Sequence, residues 1–474
     1  MRIPFVGPAY RLESVNQSAQ RCVNLYVEQS EQGGKTQAML VRTPGKVLRA
    51  SLGNDNVRQM LPFADRLYAV AGWFVYSLDA NYNPTALGSI GTRYGYLSMA
   101  CNGSQVMLVD GANGWIIDIA AQTLTQITDT DFPDGVTWVR YYDGYFVVGG
   151  DGSKKFYISA LNDGLSWDAL DFASAEGDPG ANVAGEVDHR ELMLFGVNAT
   201  ETWVDTGVQD FPFQRAGNAL VEVGCAAVAS VAKLDNSVLF LGQDRRGDGI
   251  VYRMNGYTPQ RISDYGVETA IRGYDTISDA IAYTYQQSGH AFYVLSFPSA
   301  DATWCYDAST GLWHERAYMD QRTGQLGRDL GNCYAFFGRD HLVGDYRNGN
   351  IYALDKDAYT DAGDSIKWLR SSMAQDSENN WVFYQSFELD IEAGTGINTG
   401  QGSNPQVMLR WSDNGGHTWS NAKLLSIGRM GKYGQRAKRE QLGAGRNRVW
   451  EVSGTDPVKI IIMGAMLRLA AANR

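Results

Sequence analysis

At 474 residues, with 53 glycines, 12 prolines and 12% aromatic side chains, the chain is long enough for two or three domains and has the composition of a turn-dense β protein. Its 41 basic and 52 acidic side chains leave a net charge of −11 and a pI near 5.0, which argues against a protein that holds duplex nucleic acid by neutralising phosphates. No apolar run approaches the ~20 residues that cross a bilayer, and the five cysteines, Cys22, Cys101, Cys225, Cys305 and Cys333, include no Cys-x-x-Cys pair, so buried free thiols are expected.

In chain order, residues 1–55 carry no repeat and are expected to pack with a C-terminal β domain. The opening Met1-Arg2-Ile3-Pro4-Phe5 lacks the apolar stretch of a secretion signal, and assembly in a cytoplasm is expected. Between Leu67 and Leu354 one pattern recurs seven times: a short apolar strand, a Gly/Asp/Asn turn, and a returning strand with a marker aromatic. The apolar strands begin at Leu67, Val106, Phe146, Leu192, Val238, Phe292 and His341. Their markers are Tyr76, Trp115, Phe156, Trp203, Tyr252, Trp304 and Tyr352. The spacing of these aromatics is close to the roughly 40–50 residues that one four-stranded propeller blade consumes. A lone hairpin cannot bury its apolar face, whereas stacked blades bury it against their neighbours. Asp110-Gly111, Asn113-Gly114, Asp151-Gly152, Asn255-Gly256 and Asn348-Gly349 supply turn residues that tolerate positive φ. The expectation is an all-β fold: a diverged β-propeller of six or seven blades over 56–365, with hairpins that do not close radially as the alternative.

From Asp355 to Asp364 the chain becomes an acidic connector, and a smaller β domain is expected over 366–474. Strands are predicted at 366–370, 382–391 and 407–412. In the second, Phe383, Gln385, Phe387, Leu389 and Ile391 alternate with Tyr384, Ser386, Glu388 and Asp390, as in a half-buried strand. Two more strands, 446–453 and 459–463, flank Asp456-Pro457-Val458.

Catalytic motifs are sparse. His189, His290, His314, His341 and His417 show no metal-ligand spacing, and neither a phosphate-binding glycine loop nor a Gly-x-Ser-x-Gly elbow occurs. Asp129-x-Asp131-x-x-Asp134-Gly135 lacks the bidentate glutamate of a calcium loop and reads as an acidic turn. No catalytic residue, cofactor, metal or small-molecule substrate is assigned. Ser412-Asp413-Asn414-Gly415-Gly416-His417-Thr418-Trp419 approximates the Asp-box of sialidases, with Ser412, Asn414, Gly416, Thr418 and Trp419 in register and Asp413 one place early. Sialidases also carry an N-terminal Arg-Ile-Pro, and Arg2-Ile3-Pro4 stands here. Because the box occurs once and after the repeats, the structural reading is a hairpin turn, with a sialidase-like glycosidase as an alternative function and a protein-binding propeller scaffold as another.

The two ends carry longer motifs. Pro4-Phe5-Val6-Gly7-Pro8-Ala9-Tyr10, Ser14-Val15-Asn16 and Gln20-Arg21-Cys22-Val23-Asn24-Leu25-Tyr26 resemble the opening of the tail nozzle (tail hub) proteins of short-tailed bacteriophages, also called packaged-DNA stabilisation proteins. The segment from Leu409 to Ser420, then Gly428-Arg429, Gly431-Lys432-Tyr433-Gly434, Gln441-Leu442-Gly443 and Arg448-Val449-Trp450-Glu451-Val452-Ser453, resembles their carboxyl end. These motifs cover roughly the first 30 and last 70 residues, and between them the expected agreement is one of architecture. It implies a structural virion protein: a homohexameric ring bound to the adaptor ring under the portal, near fibre or tailspike and tail-tip proteins. Such a ring closes the tail channel until ejection and passes double-stranded DNA without tight binding. The family's basic and aromatic run before its Leu-Gly is replaced here by Arg436-Ala437-Lys438-Arg439-Glu440-Gln441.

An acidic lumen would repel phosphate, which suits a channel through which DNA slides. The basic exception comprises Arg429, Lys432, Arg436, Lys438, Arg439, Arg446 and Arg448, against one acid, Glu440. It reads as a solvated loop, a contact to a neighbouring subunit, or a DNA contact. Polar tips at Asp244, Arg245, Arg246 and Asp248, and at Asp320, Gln321 and Arg322, are the candidate gate loops, since loops can rearrange where stacked sheets cannot.

Overall fold

The computed structural model describes every residue except Glu31, Asp178, Pro179, Gln209, Asp210, Ser377, Asn379 and 472–474, and the side chains of Asn218, Asp248 and Ala471. Antiparallel sheets dominate. Six sheets take consecutive strands from 57–89, 98–126, 138–174, 182–221, 224–261 and 281–315 (blades 1 to 6). A seventh blade pairs Gly331–Phe337, Asp340–Asp345 and Asn350–Asp355 with Gly45–Ser51 from the start of the chain. The innermost strands touch in the order 1 to 7, and the seventh touches the first, so the ring closes as a β-propeller. Gly45–Ser51 lies within the segment 1–55 expected to pack with the C-terminal domain, and it is instead the outer strand of blade 7.

All seven marker aromatics sit on the third strand of their blade, and each apolar strand read from the sequence is the second. These middle strands are covered on both faces. Val70, Leu108, Val147, Leu194, Leu241, Val294 and Val343 are all about 1% exposed or less. Gly111, Gly152 and Gly256 adopt φ of 83°, 85° and 57°, as their turns require. Gly349 does not; a Cβ there would lie 2.8 Å from the Gly53 backbone beneath the closing strand. A single described α-helix, Tyr265–Arg272, links blades 5 and 6, and Asp264 caps it by accepting from the Val267 N–H at 2.9 Å.

The C-terminal residues form two facing sheets. One contains Val382–Ile391, Ile461–Ala471, Ala38–Arg42 and Leu25–Gln29, with Arg2–Ile3 on Ile461–Ala471. The other runs from Cys22–Val23 through Trp368–Ser371, Asn447–Gly454 and Gln406–Ser412 to Lys423–Ser426. Cys22–Val23 also pairs in parallel with Leu312–Glu315, so this second sheet continues blade 6. Phe5, Leu40, Trp313, Trp368, Phe387, Leu409, Trp450 and Ile462 share one core with Leu239, Leu241 and Val251 of blade 5. The alternation expected over 382–391 breaks at a bulge between Tyr384 and Ser386. Phe383 is consequently 50% exposed and Tyr384 3%, while Phe387, Leu389 and Ile391 face inward as expected.

Candidate functional site

The N-terminal motif is assembled around one buried arginine. Arg370, on Trp368–Ser371, is 1% exposed, and among the described residues no carboxylate pairs with it. Its Nε donates to the Phe5 carbonyl at 2.7 Å, Nη1 to the Pro8 carbonyl at 2.6 Å and the Arg21 carbonyl at 3.4 Å, and Nη2 to Gln20 Oε1 at 2.9 Å. The planar guanidinium thus reads a folded loop through its acceptors. Burial lowers its pKa. A Cβ on Gly7 would stand 3.2 Å from Nη2, so a larger residue there would press on the guanidinium. Arg42 repeats the device: Nη1 donates to the Asp456 and Val458 carbonyls at 3.2 and 3.0 Å, and Nη2 to those of Tyr359 and Ile366 at 2.7 and 3.3 Å. Burial pulls its pKa down to about 10. Between the clamps, Asn24 donates to the carbonyls of Ala317 and Lys367, both at 2.8 Å, and Arg21 pairs with Glu315. Sequence reasoning found the motif and missed Arg370 and Arg42. An arginine inside an apolar strand, as in Trp368-Leu369-Arg370, was the available signal.

The Asp-box-like segment is a structural turn. Ser412 Oγ donates to Asn414 Oδ1 at 2.7 Å and accepts the Gly416 N–H at 2.8 Å. Asn414 Oδ1 accepts the Thr418 N–H at 2.9 Å, and its Nδ2 donates to Thr418 Oγ1 at 2.9 Å. Asn414 therefore fills the acidic position of the box. Asp413 points elsewhere, accepting from Arg448 at 2.6 and 2.9 Å. Trp419 stacks under Arg410 at 4.8 Å. The N-terminal motif packs on this turn, since a Cβ at Gly415 would fall 2.0 Å from Asn16 Oδ1. Arg2 lies on the far sheet, bound to the Met463 carbonyl at 2.7 Å and to Asp390 at 3.3 Å, so the two sialidase-like features are not brought to the propeller.

The seven basic residues divide. Arg448 is 1% exposed, stacked 4.2 Å over Tyr384 and bonded to the Leu442 and Ala444 carbonyls, so it is internal. Arg436 is held by Glu388 and depresses that carboxyl's pKa, and Lys438 does the same to Glu440 at 2.6 Å. Arg446 stacks 5.0 Å over Trp381. Arg429, Lys432 and Arg439 are exposed and have no ion-pair partner among the described residues.

Asp244, Arg245 and Arg246 form the turn between the second and third strands of blade 5, closed by the Arg246 and Gly247 N–H groups on Asp244 at 2.7 and 2.9 Å. The Asp248 side chain lies outside the described residues. Asp320, Gln321 and Arg322 cap the hairpin between Ala317–Met319 and Leu326–Arg328; Asp320 accepts the Arg322 N–H at 2.7 Å, and Gln321 donates to the Met319 and Ser365 carbonyls. Neither turn lines the propeller's axial cavity, which is enclosed by inner-strand residues such as Arg58, Ser98, Arg140, Tyr283 and Asn332 and measures 290 Å³. That space is far too small for a duplex. Its arginines are engaged, Arg58 by the Gly72, Thr92, Tyr94 and Gly95 carbonyls and Arg140 by Glu186 at 2.9 Å. Asp129 spends its carboxylate on the Asp131 and Trp167 N–H groups. Four cysteines are buried and one half-buried, all free.

A propeller closed by its own N-terminal strand, and joined through one continuous sheet to a β-sandwich, defines a two-body all-β protein. Two family profiles match in tandem: "Bacteriophage P22 Gp10, beta-propeller" over residues 1–359 and "Bacteriophage P22 Gp10, beta-sandwich" over 367–470. The chain belongs to the bacteriophage P22 Gp10 family and is a structural tail protein of the virion. Among solved structures it is similar to the computationally designed Ika8 protein (16% identity, 71% of this chain and 100% of that one, TM-score 0.38). It is also similar to YCF48 bound to D1 peptide (11%, 70% and 98%, 0.41) and to PorZ of Porphyromonas gingivalis (11%, 80% and 46%, 0.37). No curated protein sequence matches.

Proposed function

We propose that this chain is the subunit of a tail nozzle: a homohexameric ring below the portal and adaptor that retains packaged DNA and conducts it at ejection. The observation that carries the reading is the tandem match to both halves of a phage family. The axial cavity of one propeller is too small for a duplex, so a DNA path must run between subunits rather than through one. The net charge of −11 suits a lumen that lets phosphate slide. On this reading the adaptor ring, fibre or tailspike and tail-tip proteins are neighbours, assembly takes place in the host cytoplasm, and no catalysis is assigned. The turns at 244–248 and 320–322 are gate candidates. The working division is a propeller over 56–365, completed by 45–51, and a sandwich over 366–474 joined by the rest of segment 1–55.

The test is native mass spectrometry of the purified chain, alone and mixed with purified virion tail components, with negative-stain imaging of particles lacking it. Rings, or a monomer that forms a ring on the adaptor, are expected. A persistent monomer absent from purified tails overturns the reading.

A further inference from the structure

The charge of this chain is segregated. Residues 94–189 carry fourteen acidic and three basic side chains, a balance of −11 that equals the net charge of the whole chain, so all other residues are neutral on balance. They form blades 2 and 3, the links around them and the first strand of blade 4. Residues 366–474 carry fourteen basic and nine acidic side chains, a balance of +5. In a ring of seven blades, blade 6 stands across the axis from the boundary of blades 2 and 3, and blade 6 is the one whose sheet runs on into the sandwich. The molecule therefore has an acidic end and a basic end on opposite sides of the propeller axis.

Each end also presents apolar side chains among its unpaired charges. In the outer strand of blade 3, Asp163–Ser174, pairing with Lys155–Ala160 jumps from Phe172 to Trp167 and displaces 168–171 as a bulge. Leu170, 80% exposed, projects between Asp168 and Asp171, and neither acid has an ion-pair partner among the described residues. On the sandwich, Met430 and Tyr433 are 54% and 78% exposed beside Arg429 and Lys432.

We infer that the acidic bulge of blade 3 docks on the basic 429–439 segment of a second copy of this chain. Pairing either end with itself would set like charges together, which costs several kcal/mol. Two different patches on opposite sides of one molecule make a heterologous contact, which repeats around a ring if its rotation closes. The inference rests on the ring reading and names the surfaces that would build it.

The test uses the full chain and two charge-reversed variants, D168K/D171K and R429E/K432E/R439E, with near-UV circular dichroism to confirm folding. Association is followed by sedimentation velocity at about 50 and 300 mM NaCl, a range over which exposed charge pairs become screened. Each variant alone should associate at least about tenfold more weakly than the parent, and the parent should weaken with salt. A one-to-one mixture of the variants should associate again, because each reversed end then faces an end of opposite sign. A parent that stays monomeric at both salt concentrations, variants that associate like the parent, a mixture that recovers nothing, or lost binding only to other tail proteins would each overturn the inference. The ring reading itself is judged separately, by the presence of the chain in purified tails.

Discussion

Replacing Arg370 by methionine should release the N-terminal segment from the sandwich while leaving the propeller intact. The substitution keeps most of the apolar stem and removes hydrogen bonds to Phe5, Pro8, Arg21 and Gln20. A buried acceptor left unpaired costs about 1–3 kcal/mol. Part of that is recovered because residues 5–9 can shift toward water, and because no buried charge has to be desolvated. A net loss of about 3 kcal/mol follows, which raises the open fraction of this segment about a hundredfold. Hydrogen exchange is the suitable assay, since one melting temperature is ill-defined for a chain with two bodies. Amides of 1–24 should lose about two orders of magnitude in protection, with those of 98–126 in blade 2 unchanged. Arg370→Lys should fall between, because an ammonium cannot reach all these acceptors from one position. Protection of 1–24 within about twofold of the parent in Arg370→Met would refute the argument.

Lys46, on the closing strand, bonds Asp329 at 2.7 Å and Asp361 at 3.2 Å in a buried triad; Lys46→Met should cost about 3–5 kcal/mol of local stability, read as hydrogen-exchange protection of 45–51, and adding Asp329→Asn and Asp361→Asn should recover much of it. His314 is 3% exposed, accepts from Arg316 Nε at 3.3 Å, and is held well below its usual pKa by burial, Arg316 and His290. The unfolded chain therefore takes up this proton first as pH falls, so the site's stability is complete above about pH 6.5 and declines below it by up to about 1.4 kcal/mol per pH unit. His314→Gln should flatten the slope of stability between about pH 6.5 and 5 by that amount, and an unchanged slope would count against it. Burial pushes the Cys22, Cys305 and Cys333 thiols up to about 12 and Cys225 to about 11. In the native protein only half-buried Cys101 should react with a thiol reagent at neutral pH, the other four appearing after unfolding.

The repeat was legible because the middle strands of each blade are covered on both faces and must be apolar along their length, as in Tyr68-Ala69-Val70. Outer strands are not so constrained: Pro84–Ser89 and Thr123–Gln126 are largely exposed and polar, and nothing in their sequence marks them as strands. The bulge at Gln385 was illegible for a different reason. It depends on the register that the partner strand Ile461–Ala471 imposes, which periodicity within one segment cannot report. Among the basic residues, Arg448 and Arg429 carry the same weight in the sequence. Only the aromatic cage of Tyr384, Trp411 and Trp450, contributed by three strands, shows that Arg448 is interior.

Segment 1–55 matters most where it belongs to neither body alone. Cys22–Val23 bridges blade 6 to the sandwich, Leu25–Gln29 and Ala38–Arg42 extend the facing sheet, and Gly45–Ser51 closes the propeller. A blade closed by a strand from the other chain end cannot form until that end is in place, so ring closure is a long-range step. The same segment is gripped by Arg370 from the sandwich and grips the sandwich in turn through Arg42, and its closing strand is latched by Lys46 to the exit of blade 7. Propeller closure and sandwich docking therefore draw on one stretch of chain. A displacement of the sandwich would be felt at the blade 7 seam before it reached blades 2 and 3, which share no strand with it.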